Sequence, residues 1–198
     1  MNDSLTGGGD GQTPVHAQDL EGLRLGWIRT QGELNDVEAR NLQAGRIWAF
    51  RTRRPRSVEQ LLDDRWLFEL HRRSFGDVWS WAGTPRLRIT SIGIAPVEVI
   101  RATRDALLDA SAQIEADPSG ERSRAIVADL HFRLAAIHPF ANGNGRTLRL
   151  HSDLLARTLG TPAPTWGGNT PDVRERYLDA LRRADAGDPE ALRSFLWS

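Results

Sequence analysis

A chain of 198 residues corresponds to about one domain at roughly 150 residues per domain, and it is long enough to bury an ordinary core. It contains no cysteine and no lysine; all 26 basic residues are Arg, and 26 acidic residues balance them. This composition excludes disulfides, thiolate nucleophiles, thiolate zinc sites, Schiff-base chemistry and a P-loop lysine, and zero net charge provides no global field for nucleic acid.

Residues 1–15 are rich in Gly, Ser, Asp and Thr and read as a flexible tail. No basic region followed by an apolar run opens the chain, so no signal peptide is expected. No stretch approaches about 18 consecutive apolar residues, so no membrane span is expected and a cytoplasmic location is. Residues 33–50 carry Leu34, Val37, Leu42, Ile47 and Trp48 on a helical stripe. The basic run 51–56 reads as a solvated connection rather than a nucleic-acid patch. Ser57 is a good N-cap for a helix bearing Leu61, Leu62, Trp66, Leu67 and Leu70.

Residues 87–94 break the helical period. They are β-branched, contain Gly93 and lie between Pro85 and Pro96, which predicts a short β-hairpin or extended flap. Helical spacing then returns over 96–116, 121–137 and 146–159. Thr170 and Pro171 read as N-cap and first-turn proline of a helix over 172–186, and Asp188 and Pro189 repeat that signal before a terminal helix. The expected fold is mainly α, with a tail (1–15), an N-terminal segment (16–32) and a helical domain (33–198).

The chemistry-bearing stretch is the loop from His138 to Arg149, HPFANGNGRTLR, between two strongly periodic helices, with Pro139 stopping the first. Gly143 and Gly145 flank Asn144 and permit positive φ and close backbone approach, which suits a nest of N–H groups at the start of the next helix. That terminus favours an anion. Arg146 and Arg149, three apart, fall on one helix face and complete a polyphosphate site. His138 at the loop entrance is placed to take a proton from a nucleophile.

This stretch resembles the signature of the Fic/Doc family, H-x-F-x-[D/E]-G-N-G-R-x-x-R. Residues 75–86, FGDVWSWAGTPR, resemble the segment leading into the family's flap. Length, the Glu21-Gly22-Leu23 segment and Thr165-Trp166-Gly167 are most like the subgroup called mobile mystery protein B. The resemblance implies a Fic-type helical bundle with a short β-hairpin flap. It also implies a protein adenylyltransferase that moves AMP from ATP to a Ser, Thr or Tyr hydroxyl of a target protein. His138 would be the general base and Phe140 the core anchor of the loop. Gly143, Asn144 and Gly145 would form the anion hole, while Arg146 and Arg149 hold the β/γ end. Gly145 stands where the phosphorylating Doc branch has Lys. The flap residues Arg88, Ile89, Thr90, Ser91 and Ile92 would dock the target segment by strand addition.

The chain departs from the signature at Asn142, where the family has the Asp or Glu that binds Mg²⁺ or Mn²⁺. An amide oxygen brings a dipole instead of a charge, so weaker metal capture is expected. The family can also carry an inhibitory Glu, and Glu21 before Gly22 is the candidate, although Ala17 replaces the usual Ser or Thr. A small helix-turn-helix partner or antitoxin is a further implication.

Taken singly, these residues have blander readings: His138 as a helix-end imidazole, the glycines as turn formers, the arginines as solvated, Glu21 as a surface charge. The combination favours the phosphate site. His71, His131 and His151 read as structural, and Trp79 and Trp81 as core. For Trp166, core filling and adenine stacking both stand. The alternative function is a nucleotide-binding regulatory or toxin-like module with little turnover, controlled by a partner.

Overall fold

The computed structural model describes residues 17–51 and 57–198. The predicted tail and all of the basic run but Arg51 lie outside them. The elements are α1 (Ala17–Leu20), α2 (Gln31–Phe50), α3 (Val58–Leu61), α4 (Asp64–Phe75), α5 (Val99–Glu115), α6 (Ser123–Ile137), α7 (Asn144–Thr158), α8 (Val173–Asp185) and α9 (Pro189–Leu196), with a 3₁₀ turn over Pro96–Glu98 leading into α5.

Caps decide where several helices begin. Thr30 Oγ1 accepts from the Glu33 N–H at 3.2 Å, and Glu33 Oε2 accepts from the Thr30 N–H at 3.0 Å, so α2 starts at Gln31, two residues before the expected start at 33. Ser57 caps as expected, but only α3. The stripe from Leu61 to Leu70 spans two helices: the chain breaks at Leu62, and the Asp63 carboxylate accepts from the Arg65 N–H at 2.8 Å to start α4. At α8 the expected cap is displaced. Asp172 holds the N-cap position without a side-chain capping bond: its carboxylate turns back to Thr170, whose carbonyl accepts from the Val173 N–H at 3.1 Å. Asp188 does precede α9, with Pro189 in its first turn, yet its carboxylate pairs with Arg183 and does not cap.

Helix α2 packs on α4, α5 on α6, α6 on α7, and α8 on α9. The main core lies among α3 to α7 and includes Leu67, Leu70, Leu107, Ile126, Leu134, Phe140, Leu148 and Leu155. A second cluster joins Ile28 and Leu34 to Phe75, Val78 and Trp79. Residues of the N-terminal segment are stitched to it: Arg24 N–H donates to Val78 O, Ser80 N–H to Gly22 O, and Leu23 bridges Trp79. The third cluster, Tyr177, Ala180, Leu192, Phe195 and Leu196 with Ala128 of α6, holds the C-terminal pair of helices against the bundle.

The flap is where the expected hairpin fails. Residues 87–94 form no strand, and the described residues contain none. Its carbonyls are gathered by one buried guanidinium rather than by a partner strand. Arg86 donates to the carbonyls of Arg88 (2.8 Å), Ile94, Ile137 (3.2 Å) and His138 (2.7 Å). Gly93, at φ 116°, lets the chain pass over it: a Cβ there would lie 2.5 Å from Arg86 Nη2 and 2.8 Å from His138 Cβ. Arg88 is turned inward, with its Nε 3.1 Å from Asp19 Oδ1 and Nη2 on Oδ2. Leu87 and Ile89 on either side of it are left exposed.

Candidate active site

Helix α6 ends at Ile137 because His138 turns left-handed, φ 56°, just before Pro139. Its N–H still bonds Leu134 O at 3.0 Å, which fixes the imidazole at the mouth of the loop, half-buried. Burial holds its pKa below the ordinary value of 6.5, the Arg86 charge adds to this, and a bond to the Ala135 carbonyl opposes it. The ring is therefore neutral at pH 7 and carries a lone pair.

The loop is held from two sides. Phe140 is fully buried, and Asn144 clasps its backbone: Oδ1 accepts from the Phe140 N–H at 2.9 Å and Nδ2 donates to the Phe140 carbonyl at 2.8 Å. Both ends of the Asn144 amide are thereby used inside the loop, so this side chain shapes the loop and offers no free amide group to a ligand. His71 of α4 makes the second hold. Gly83 N–H donates to its Nδ1 at 2.9 Å, so the proton sits on Nε2, which donates to Asn142 O at 3.0 Å. The ring stacks on Phe140 at 3.8 Å between centroids. Burial first, and then the nearby Arg146 charge, push its pKa down to about 3. His71 is structural, as the sequence suggests, but the sequence carries no sign that it braces the loop from 71 positions away.

The two glycines differ. Gly143 is left-handed, φ 76°, and a Cβ would strike the Phe75 ring at 2.8 Å. Gly145, expected to share that conformation, is instead an ordinary helical residue of α7; a Cβ there would meet nothing within 4 Å. It leaves open space beside the helix start. No side chain caps α7, so its first-turn N–H groups are available to an external acceptor.

The arginines are not brought to one partner. Arg146 points toward α2, where its Nη1 lies 2.7 Å from Glu38 Oε2 and its guanidinium 4.7 Å from the Phe75 ring centre. Glu38 is buried, and its other oxygen accepts from Trp79 Nε1 at 2.7 Å. Arg149 points toward α8, its guanidinium 4.8 Å from the Tyr177 ring centre and 5.7 Å from that of Trp166. It makes no ion pair among the described residues, and its buried Nε has no hydrogen-bond partner. Glu21 is exposed and touches neither arginine; the carboxylate the structure sets against the motif is Glu38, which sequence reasoning missed.

The Asn142 amide oxygen faces back into the loop and accepts from the Gly143 N–H at 2.6 Å. Among the described residues no three His, Cys, Asp or Glu side chains converge as a metal site. His131 and His151 are buried and structural: His151 Nε2 bonds Leu61 O, and His131 bridges Ser152 and Tyr177. Trp79 is core and stacks on Trp81. Among the described residues no helix is long and apolar enough to cross a membrane.

The sequence profile of the Fic/DOC family matches residues 61–156, from α3 through the motif to α7. A protein adenylyltransferase of Caenorhabditis elegans is 31% identical over 143 residues, covering 68% of this chain and 25% of that protein. A probable protein adenylyltransferase of Sinorhizobium fredii is 32% identical over 125 residues, covering 60% of this chain and 63% of that one. The chain thus spans only a quarter of the worm relative. Among solved structures, the N-terminal Fic domain of a Bartonella quintana effector with bound ADP superimposes with a TM-score of 0.66 at 20% identity, covering 86% of each chain. With the helical order, the loop between α6 and α7 and these similarities in agreement, the chain belongs to the Fic/DOC family.

Proposed function

We propose that the chain is a protein adenylyltransferase that transfers AMP from ATP to a Ser, Thr or Tyr hydroxyl of a target protein. One observation carries the reading: a neutral imidazole, His138, stands one short loop away from the uncapped N-terminus of α7. The hydroxyl oxygen attacks the α-phosphorus of ATP, and His138 takes the hydroxyl proton. The bond to the β-phosphate oxygen breaks, and pyrophosphate leaves with the negative charge. The N–H groups at the start of α7 and Arg149 meet that charge. The names of the similar adenylyltransferases support the reaction class. The flap offers the target segment its exposed Leu87, Ile89 and Ile92.

A divalent ion held by the protein does not fit the donors present. Asn142 is neutral, its amide oxygen is engaged by the Gly143 N–H, and among the described residues no three His, Cys, Asp or Glu side chains converge to hold an ion. In this proposal Mg²⁺ or Mn²⁺ belongs to the substrate, as the metal complex of ATP, held by phosphate oxygens and water.

A second reading, a nucleotide-binding regulatory or toxin-like module with little turnover, is favoured by Glu38 on Arg146 and by Asn142. The helix-turn-helix partner implied by the subgroup resemblance belongs with it. Incubation with ATP labelled at the α-phosphate, Mg²⁺ or Mn²⁺ and a lysate separates the two. Label on protein that is lost in His138→Ala supports adenylyl transfer. Tight ATP binding without label supports the module.

A further inference from the structure

We infer that Tyr177 and Trp166, outside the family-matched segment, are positioning residues: their ring faces form a shelf that holds Arg149 in place for phosphate while leaving its charge unneutralised. The inference rests on the reading that the motif binds ATP.

Among the described residues two ring faces lie over the guanidinium, and the Asp153 carboxylate, turned to Trp166, acts on it through space without pairing with it. The Ser152 hydroxyl donates to Leu148 O at 2.9 Å, so it accepts from His131 Nδ1 at 3.0 Å. His131 Nε2 is then an acceptor, and the Tyr177 hydroxyl donates a hydrogen bond to it at 2.8 Å. Trp166 Nε1 donates to Asp153 Oδ1 at 2.8 Å. The polar tips of both rings are thus bonded elsewhere. Burial keeps His131 neutral, its pKa about 3, and raises Tyr177 to about 12, so neither ring carries charge near pH 7. Arg149 lies over the two faces with its buried Nε unpartnered.

Trp166 reaches this place through an uncommon backbone. Its φ is 58°, between the Thr165 and Trp166 N–H bonds to Leu196 O and the left-handed Gly167 and Gly168. That conformation turns the indole back onto α7, where its ring also lies 4.9 Å from the His131 ring centre.

The physical contrast is with Arg146. A carboxylate such as Glu38 takes a guanidinium N–H and cancels its charge, so phosphate must compete with it. A π face attracts the cation through the ring quadrupole and leaves the N–H donors at the guanidinium edge free. Arg149 is accordingly the motif arginine ready for the β/γ end of a nucleotide, with α8 and the 165–168 loop as its support.

Calorimetric affinities for ATP and AMP test this in the parent, Tyr177→Phe, Tyr177→Leu, Trp166→Phe, Trp166→Leu and Arg149→Ala. Loss of one ring face should weaken ATP binding by roughly tenfold, with AMP binding unchanged, because AMP lacks the phosphates Arg149 would hold. The phenylalanine variants keep a face and should stay within about threefold of the parent. Adding Tyr177→Leu to Arg149→Ala should have no further effect on ATP. Equal losses for ATP and AMP, or Leu variants matching the parent, overturn the shelf. A parent that binds AMP but not ATP, or neither, refutes the nucleotide reading itself and is seen before any variant is compared.

Discussion

Glu38 and Arg146 form an ion pair across 108 positions of sequence, Oε2 to Nη1 at 2.7 Å, with the carboxylate buried and the guanidinium about one-third exposed. Trp79 Nε1 donates to the other Glu38 oxygen, so the carboxylate is held rigidly against the first motif arginine. A phosphate that needs Arg146 must therefore displace a preorganised competitor. Glu38→Gln keeps the volume and an acceptor for Trp79 but removes the charge. ATP affinity should rise about three- to tenfold, with a modest loss of stability because Arg146 can turn to solvent. Titration calorimetry decides the matter; weaker ATP binding in the variant would make Glu38 a support for Arg146 and not its competitor.

His138→Ala should lower label transfer by about 10²–10⁴-fold while ATP binding survives. The pH profile is the sharper reading. Burial holds the pKa below 6.5, so the imidazole stays unprotonated further into acid than a free one. The acid limb of kcat/KM should therefore have its midpoint below 6.5. A midpoint above 6.5, or no acid limb in the parent, would remove His138 as the base.

Asn144 is a clasp, which predicts an asymmetric response. Asn144→Asp keeps the acceptor for the Phe140 N–H but sets a carboxylate oxygen against the Phe140 carbonyl, where Nδ2 now donates. A buried acceptor left facing another costs about 1–3 kcal/mol. Thermal unfolding should show that loss, with activity falling further because Phe140 and the start of α7 move together. A stable Asp variant with parental activity would mean the loop is held by Phe140 burial alone.

The helices were legible because their apolar spacing is strong, and the motif because its residues are contiguous. What the sequence hid is long-range. Glu38 sits on α2 among other buried polar residues, Gln31 and Asn41, and nothing local marks it as a partner of Arg146. The flap read as a hairpin because Ile89, Thr90 and Ile92 favour strands. The competing acceptor network is centred on Arg86, and its partners at 137 and 138 are remote in sequence. Arg146 and Arg149 are three apart, yet face different walls because long side chains diverge toward whichever partners the neighbouring helices present.

Acid stability follows from His71 and His131, whose pKa values fall to about 3 from 6.5 on folding. Between those values the unfolded chain binds protons that the folded one does not. Stability is thus full above about pH 6.5 and declines as pH falls toward 3, by roughly 1.4 kcal/mol per pH unit for each group. His131→Gln lowers stability outright through Tyr177 and Ser152, but it should also flatten the loss between pH 6 and 5 by about 1 kcal/mol in urea unfolding. An unchanged slope would show that His131 is protonated in the folded protein.

Asn142→Asp asks what the neutral amide costs. The Asn142 oxygen accepts from the Gly143 N–H at 2.6 Å, a bond that one carboxylate oxygen can keep, and a negative charge before the N-terminus of α7 is favourable. The His71 bond goes to the main-chain oxygen of residue 142 and is untouched, so folding should be little changed. The second carboxylate oxygen is then free for the cation of the ATP complex. A charge 4 Å away is worth about 4 kcal/mol at an effective dielectric of 20, and desolvation removes much of that. The metal concentration for half-maximal label transfer should drop roughly tenfold, which is about 1.4 kcal/mol. The rate should rise with it, because a captured cation offsets charge developing on the leaving pyrophosphate. Metal titrations of both proteins at fixed ATP check this. An unchanged midpoint together with weaker ATP binding would mean that residue 142 faces phosphate directly, and that its neutrality serves the anion hole.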